Sequence, residues 1–179
     1  MPAQGFSLLQ LIITLAVAGI LSGIGIPHWG YVVKNNLIAA ERQQFFAWLQ
    51  FARQTAVMQN QTITLCPVQD GMQCSRDYQS WHTGYMVFVD TNGNKQREAD
   101  EALLRVSEAA RAGVLIQTSS GRRAIRYRMD GSAWGSNVTI RFCAQHHPAL
   151  NRTLIVHSSG RVRLADTLSN GTPVTCTIP

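Results

Sequence analysis

The first 58 residues show two hydrophobic patterns in succession. An uncharged apolar run covers residues 6–26 and reaches the roughly 20 residues that an α-helix needs to cross a bilayer core. No charged residue precedes Lys34. Further along, apolar side chains recur at steps of three and four, namely Leu37, Ile38, Phe45, Leu49, Ala52 and Ala56. The spacing predicts an amphipathic helical half over residues 27–58, after the transmembrane half. We expect a kink or a local opening at Pro27, because proline lacks an amide hydrogen.

After Met58 the pattern changes to short runs of β-branched and aromatic residues. Eight strands are predicted, and most of their connections contain Gly, Asn, Asp or Ser: Thr62–Cys66, Gly84–Asp90, Ala102–Val106, Val114–Gln117, Ala124–Met129, Val138–Cys143, Thr153–His157 and Arg161–Ala165. One long helix followed only by strands is an α+β order. It predicts a helix packed on an antiparallel β-sheet head, and the length favours a single head domain over residues 59–179.

The net charge of +6 is concentrated in one segment. Residues 1–118 hold eight basic and eight acidic side chains, whereas residues 119–163 hold eight arginines and the single acid Asp130, a local balance of +7. The arginines are Arg122, Arg123, Arg126, Arg128, Arg141, Arg152, Arg161 and Arg163. Arginine in such excess favours an anionic partner, because its planar guanidinium can give two hydrogen bonds to one phosphate.

Four of these arginines take alternate places in predicted strands, Arg126 with Arg128 and Arg161 with Arg163. The opposite faces carry apolar residues, namely Ile125, Tyr127, Met129, Val162 and Leu164. We expect the apolar faces to be buried and the arginines to be exposed. Residues two apart in a strand are separated by about 6.6 Å, a distance that suits neighbouring phosphates on an extended nucleic-acid backbone.

The junction before the apolar run differs from a secretory signal peptide, whose small-residue cleavage site follows its apolar core. Here Gly5 precedes that core, so cleavage between Gly5 and Phe6 would remove a leader of residues 1–5 and leave the hydrophobic helix at the N-terminus. The Gly-Phe-Ser-Leu junction, the apolar helix and Pro27 resemble the type IV pilins and pseudopilins. That resemblance implies cleavage by a prepilin peptidase and N-methylation of Phe6. It also implies a single-pass protein of the bacterial inner membrane, with a periplasmic head, that joins other pilin subunits in a pilus at the cell surface.

Within that superfamily, the stretch GYMVFVDTNGNKQREADEALLRV at residues 84–106 is similar to the FimT, FimU and GspH group of minor pilins and pseudopilins. The resemblance implies a pilin-like fold over most of the chain. Gln10 takes the fifth place after the predicted cleavage site, where this superfamily usually carries a glutamate. An amide cannot supply that charge, which indicates a minor or low-copy role rather than a bulk filament subunit. The alternative is that Gln10 is a tolerated polar residue near the membrane interface.

The segment Gly160-Arg161-Val162-Arg163 matches the GRxR pattern near the C-terminus of FimT-type minor pilins. By that match Arg161 and Arg163 are candidates for sequence-independent DNA binding during natural transformation, and Gly160 serves the turn before them. A surrounding basic field would raise encounter rates and nonspecific affinity: Arg122, Arg123, Arg126, Arg128 and Arg152. In the alternative interpretation these arginines make subunit contacts, either in a structural minor pilin that primes pilus assembly or in a GspH-type pseudopilin of a type II secretion system.

The four cysteines suggest two disulfides in a protein whose head lies outside the cytoplasm. Four cysteines allow three connectivities, and we favour Cys66 with Cys74 and Cys143 with Cys176. The first pair would close a hairpin-like loop, and the second would fix the C-terminus to a strand.

Two sets of residues match metal sites in part. Asp90, Asn92, Asn94 and Glu101 occupy places 1, 3, 5 and 12 of a calcium loop, but Lys95 stands where that loop needs glycine and the flanks indicate strands. We therefore expect a polar strand connection. Cys143, His146 and His147 lack a fourth ligand, and we expect them to be structural. The sequence contains no P-loop, HExxH, GxSxG or dinucleotide fingerprint, so we predict neither an enzyme nor a cofactor.

Overall fold

A computed structural model describes residues 7–69 and 72–177, and for residues 21–28 it describes the backbone alone. One helix, α1, runs from Leu8 to Gln59. It ends where Asn60 takes a left-handed backbone (φ 53°) and the amide of Gln61 donates to the carbonyl of Ala56 at 3.2 Å. This is the Schellman arrangement, in which a left-handed residue lets the chain satisfy the last helical carbonyls.

Helical backbone continues through position 27, so the helix is not interrupted there, and a bend at Pro27 stays a prediction. The predicted junction at Gly5 and Phe6 lies outside the described residues, as does the start of the predicted transmembrane half. Among the residues that the structure describes, no helix has a stretch long and apolar enough to span a membrane. The chain divides into two compact units, Met1–Asn36 and Leu37–Pro179.

Nine strands follow α1 and form two antiparallel sheets in the described chain. The first sheet contains β1 (Ile63–Gln69), β2 (Gln73–Cys74), β3 (Tyr85–Val89), β4 (Leu103–Val106) and β6 (Ile125–Tyr127), in the order β2-β1-β3-β4 with β6 also paired to β1. The second contains β5 (Val114–Thr118), β7 (Val138–Ala144), β8 (Arg152–Val156) and β9 (Val162–Ala165), in the order β5-β7-β8-β9. Short 3-10 turns occupy Ser80–Thr83 and Pro148–Leu150.

Both sheets share one core with the second half of α1. Phe45 of the helix is fully buried, and its ring lies 4.7 Å from Tyr85 of β3 and 5.8 Å from Phe142 of β7, between ring centroids. Trp81 adds a third aromatic contact at 5.6 Å. Aromatic pairs of this kind contribute about 0.5–1.5 kcal/mol each beyond the area they bury. The apolar side chains that recur from Leu37 to Ala56 thus pack on the sheets, in the α+β fold that was predicted.

All eight predicted strands are present, and every end lies within three residues of its predicted position. The largest difference is at the end of β1, which runs to Gln69 and not to Cys66. Strand β6 ends at Tyr127, before the predicted Met129, because residues 128–131 form a turn closed by the amide of Gly131 on the carbonyl of Arg128. The expectation that Met129 is buried was wrong, since its side chain is 51% exposed. Leu164 is likewise 41% exposed at the sheet edge, whereas its neighbour Val162 packs on the core. The two-residue strand β2 was not predicted.

Both favoured disulfides are present. Cys66 of β1 is bonded to Cys74 of β2 with their Cα atoms 5.5 Å apart, and Cys143 of β7 is bonded to Cys176 with a Cα separation of 6.2 Å. The second bond holds the C-terminal segment against one end of the outer face of the second sheet. There the carbonyl of Thr175 accepts a hydrogen bond from Arg141 at 3.2 Å.

Candidate nucleic-acid interface

The turn before β9 depends on glycine at position 160. Gly160 has φ 79°, a left-handed conformation that side-chain-bearing residues rarely adopt. A Cβ atom at this position would lie only 1.9 Å from the carbonyl oxygen of Gly131. The turn is closed by the amide of Gly160 on the carbonyl of His157 at 2.8 Å, and the amide of His157 donates to the carbonyl of Arg161 at 2.9 Å. Gly160 thus serves the turn, as its position before the strand predicted.

Helix α1 fixes this turn through Arg53. The Nε atom of Arg53 donates to the carbonyl of Gly131 at 3.0 Å, and Nη2 donates to the carbonyl of Ser159 at 3.3 Å. One guanidinium therefore joins the turn before β9 to the turn after β6. The start of β9 is consequently held by a charge-assisted contact with the helix, and not only by its pairing with β8.

The side chains of Arg161 and Arg163 are exposed on the open edge of the second sheet. Arg163 stands opposite Ile155 of β8, and Ile155 stands opposite Thr139 of β7, so these three residues form a row on the face turned away from the core. Among the described residues, no carboxylate forms an ion pair with Arg161 or Arg163. Both guanidinium groups are available to an anionic partner.

A groove of about 750 Å³ begins at this row. Its walls include Arg122, Arg163 and Trp134, and its floor includes Thr139 and Ile155. No aspartate or glutamate is among its lining residues in the described chain. The Trp134 side chain is 66% exposed at the rim. The groove therefore combines two guanidinium groups with an accessible aromatic ring.

Three cations meet beside the groove. The carbonyl of Gly135 accepts hydrogen bonds from Nη1 of Arg122 at 3.0 Å and from Nζ of Lys95 at 3.4 Å, while Nη1 of Arg126 donates to the carbonyl of Gly93 at 2.5 Å. Burial lowers the pKa of Lys95, and the positive charges of Arg126 and Arg122 lower it further. Repulsion within this Lys95 cluster (Lys95, Arg122 and Arg126) would be relieved by a bound anion.

The structure separates Arg152 from the groove's arginines. Arg152 is half-buried, and its Nε atom lies 3.3 Å from Asp166, which also pairs with Arg42 at 3.1 Å. Two more of its hydrogen bonds go to backbone carbonyls, those of Ala149 and Asn151. Arg123 and Arg128 are exposed. Arg126, which was expected to be exposed, is half-buried because its guanidinium turns towards Gly93.

A family model identifies the chain. The model for the type II transport protein GspH matches residues 41–160, about two thirds of the sequence. The chain belongs to the GspH family. Members of this family are structural proteins rather than enzymes. The GspH match ends at Gly160, immediately before Arg161 and Arg163, so the family model does not cover the two arginines of the GRxR pattern.

Solved structures support the pilin-like fold of this GspH-family protein. The type IV minor pilin FimU of Pseudomonas aeruginosa is 23% identical, with a TM-score of 0.58 over 72% of this chain and 88% of FimU. A second crystal form of FimU is 21% identical, with a TM-score of 0.55 over 70% and 90% of the two chains. The minor pseudopilin EpsH from the Type 2 Secretion System of Vibrio cholerae is 11% identical, with a TM-score of 0.49 over 70% and 94%. No curated protein sequence matches the chain significantly.

The loop between β3 and β4 is a polar connection, as expected. Asp90 is fully buried, and its Oδ2 atom accepts hydrogen bonds from Thr64 Oγ1 at 2.6 Å and from the amide of Lys95 at 3.2 Å. Glu101 accepts from the amides of Thr91 and Glu98 at 2.9 and 3.1 Å. The carboxylates thus organise the loop through hydrogen bonds. Within the described ranges, no group of His, Cys, Asp and Glu is arranged to hold a metal ion.

Sequence reasoning missed three contributors to this interface, namely Arg53, Lys95 and Trp134. Arg53 and Lys95 lie outside the charged segment of residues 119–163, in the helix and in the β3–β4 loop, and Trp134 lies within that segment, in the turn before β7. A tryptophan in a Gly- and Ser-containing segment was the one available signal, because such segments form surface turns whereas tryptophan is highly buried on average.

Proposed function

We propose that this protein is a minor type IV pilin of the FimT kind, whose head binds DNA without sequence preference and supports DNA uptake in natural transformation. The observation that carries the proposal is that Arg161 and Arg163 are exposed on an open sheet edge, where no described carboxylate forms an ion pair with either of them. Asp166 is the described acidic residue nearest to Arg163 along the chain, and its carboxylate is already paired with Arg42 and Arg152.

The charge distribution around these two arginines favours phosphate as the partner. Arg122 uses two of its five donors on Gly135 and Asn137, which leaves donors for a ligand in the groove. Lys95 and Arg126 extend the positive field on one side. Contacts of this kind go to the backbone and carry no sequence information, so the expected binding is nonspecific and weakens steeply as salt rises.

The proposed anchor is the apolar N-terminal helix. Residues 6–26 would hold the head at the periplasmic side of the inner membrane after a prepilin peptidase has cleaved between Gly5 and Phe6. Methylated Phe6 would then be the mature N-terminus, and the helix would pack among other pilin subunits once the protein enters a pilus. The proposal rests on the sequence of this region and on membership in the GspH family.

Transformation of living cells tests the proposal. In a strain that carries Arg161→Gln together with Arg163→Gln, we expect DNA uptake to fall while piliation persists, because both side chains are exposed and no described side chain depends on them for an ion pair. The matched control is Lys34→Gln with Arg76→Gln, which removes two exposed cations outside residues 119–163. Normal uptake with the arginine pair changed would refute the assignment.

A structural role is the second candidate, and the GspH description of the family favours it. In a type II secretion pseudopilin or a pilus-priming minor pilin, the exposed Leu164 and the arginines beside it would contact another subunit. The same strains distinguish the two candidates. Loss of piliation or of secretion in the arginine variant, with DNA binding by the purified protein intact, would support subunit packing instead.

A further inference from the structure

Trp134 is displayed by a turn that is fixed on both sides. The amide of Ala133 donates to the carbonyl of Ser158 at 2.8 Å, and the amide of Ser136 donates back to the carbonyl of Ala133 at 2.9 Å. Gly135 is held by Arg122 and Lys95 through its carbonyl. The indole is nevertheless 66% exposed and forms part of the groove wall. A ring presented on such a constrained turn loses little backbone freedom when a ligand covers it.

The surroundings of the ring specify the chemistry of that ligand. Arg122 and Arg163 line the same groove as Trp134, and no described lining residue is acidic. An aromatic plane flanked by guanidinium groups matches a nucleotide, which offers a base to stack and phosphates to pair. The groove volume of about 750 Å³ has room for one nucleotide with part of its neighbours.

Duplex DNA cannot use the whole of this site, because its bases are already stacked on one another and only its phosphates face outward. We propose that the groove binds an unpaired nucleotide, with the base stacked on Trp134 and the flanking phosphates paired with Arg122 and Arg163. This inference rests on the proposed DNA-binding function and makes it more specific: single-stranded segments or frayed ends are preferred over closed duplex. Outside the groove, Arg161 then contacts the continuing backbone of the same strand.

The test compares three probes with the full chain in non-ionic detergent, by fluorescence anisotropy. They are an oligothymidylate of about 20 nucleotides, an abasic strand with the same phosphates, and a duplex closed by hairpins at both ends. The oligothymidylate is longer than the roughly 4–16 nucleotides of ordinary single-strand sites. We expect the oligothymidylate to bind more tightly than the other two. Trp134→Ala should weaken only the oligothymidylate complex, by about 5- to 150-fold, and Trp134→Phe should restore most of the loss.

The outcomes separate this inference from the function on which it rests. If the protein binds duplex and single strand equally well, and Trp134→Ala changes neither, the DNA-binding proposal stands and the nucleotide site is refuted. If none of the three probes binds, both the DNA-binding proposal and the nucleotide site are refuted. A Trp134→Ala protein that keeps its DNA affinity but no longer enters filaments would assign the ring to a subunit contact and overturn the inference. Equal thermal melting of the variants excludes a folding defect, which is not expected at so exposed a position.

Discussion

Replacement of Gly160 by alanine tests the account of how the arginines are positioned. The new Cβ atom would lie 1.9 Å from the carbonyl oxygen of Gly131, a contact that no rotamer can relieve because both atoms belong to the backbone or are fixed to it. Either the turn before β9 or the turn after β6 must move. The carbonyl of Gly131 would then lose its hydrogen bond from Arg53 Nε, which is 3.0 Å long.

Two costs add up in this variant. A residue with a side chain in the left-handed region costs about 1–2 kcal/mol, and a lost hydrogen bond to a charged group costs about 1.5–3 kcal/mol. We therefore expect Gly160→Ala to lower the free energy of unfolding of the head by about 2.5–5 kcal/mol. Urea denaturation of the full chain in non-ionic detergent, followed by tryptophan fluorescence, measures this as a lower midpoint.

Gly171→Ala is the matched control. Gly171 has almost the same backbone conformation, with φ 81°, but a Cβ there would meet no atom within 4 Å. Gly171→Ala should lower the free energy of unfolding only by the cost of a left-handed backbone at a residue with a side chain, about 1–2 kcal/mol. Equal losses of stability in the two variants would refute the close approach of the two turns and, with it, the role of Arg53 in fixing β9.

Two further predictions concern the Lys95 cluster and the N-terminus. Burial and the neighbouring arginines lower the pKa of Lys95 in the free protein, and a bound phosphate would raise it. The contribution of Lys95 to DNA affinity should therefore be fully present below its pKa in the free protein and be lost as pH rises through its pKa in the complex. Lys95→Arg should flatten this decline in anisotropy titrations between neutral pH and about 10. An unchanged pH profile in Lys95→Arg would exclude Lys95 from the interface. Mass spectrometry of the protein from its native membrane should show loss of residues 1–5 and a methyl group on Phe6, whereas an intact Met1 would contradict prepilin processing.

The sequence predicted those parts of the fold that depend on local pattern. Phe45, Leu49 and Ala52 recur at helical spacing and are fully buried, because burial of one helix face requires that periodicity. Both disulfides agreed with the favoured pairing, since Cys66 and Cys74 flank a short connection and Cys176 lies in a terminal segment that needs attachment.

Contacts between segments distant in sequence could not be predicted in this way. Arg126 alternates correctly in its strand, yet it is half-buried because a loop 33 residues earlier brings the carbonyl of Gly93 to it. Arg152 pairs with Asp166 for the same kind of reason, as β8 and the end of β9 are neighbours in the sheet. The groove joins Arg122, Trp134 and Arg163 from three separate segments, and a charge count along the chain does not show which arginines share a surface.

The salt dependence of duplex binding tests the central claim most directly. The affinity of the full chain in non-ionic detergent is measured against salt concentration for the unchanged protein, for Arg161→Gln with Arg163→Gln, and for the control Lys34→Gln with Arg76→Gln. Each phosphate contact contributes about 0.9 to the slope of log affinity against log salt, so loss of two contacts should make the slope shallower by about 1.8. We predict that change for the arginine pair and no such change for the control. An unchanged slope in the arginine variant, or an equal change in the control, would contradict the assignment of Arg161 and Arg163 to DNA.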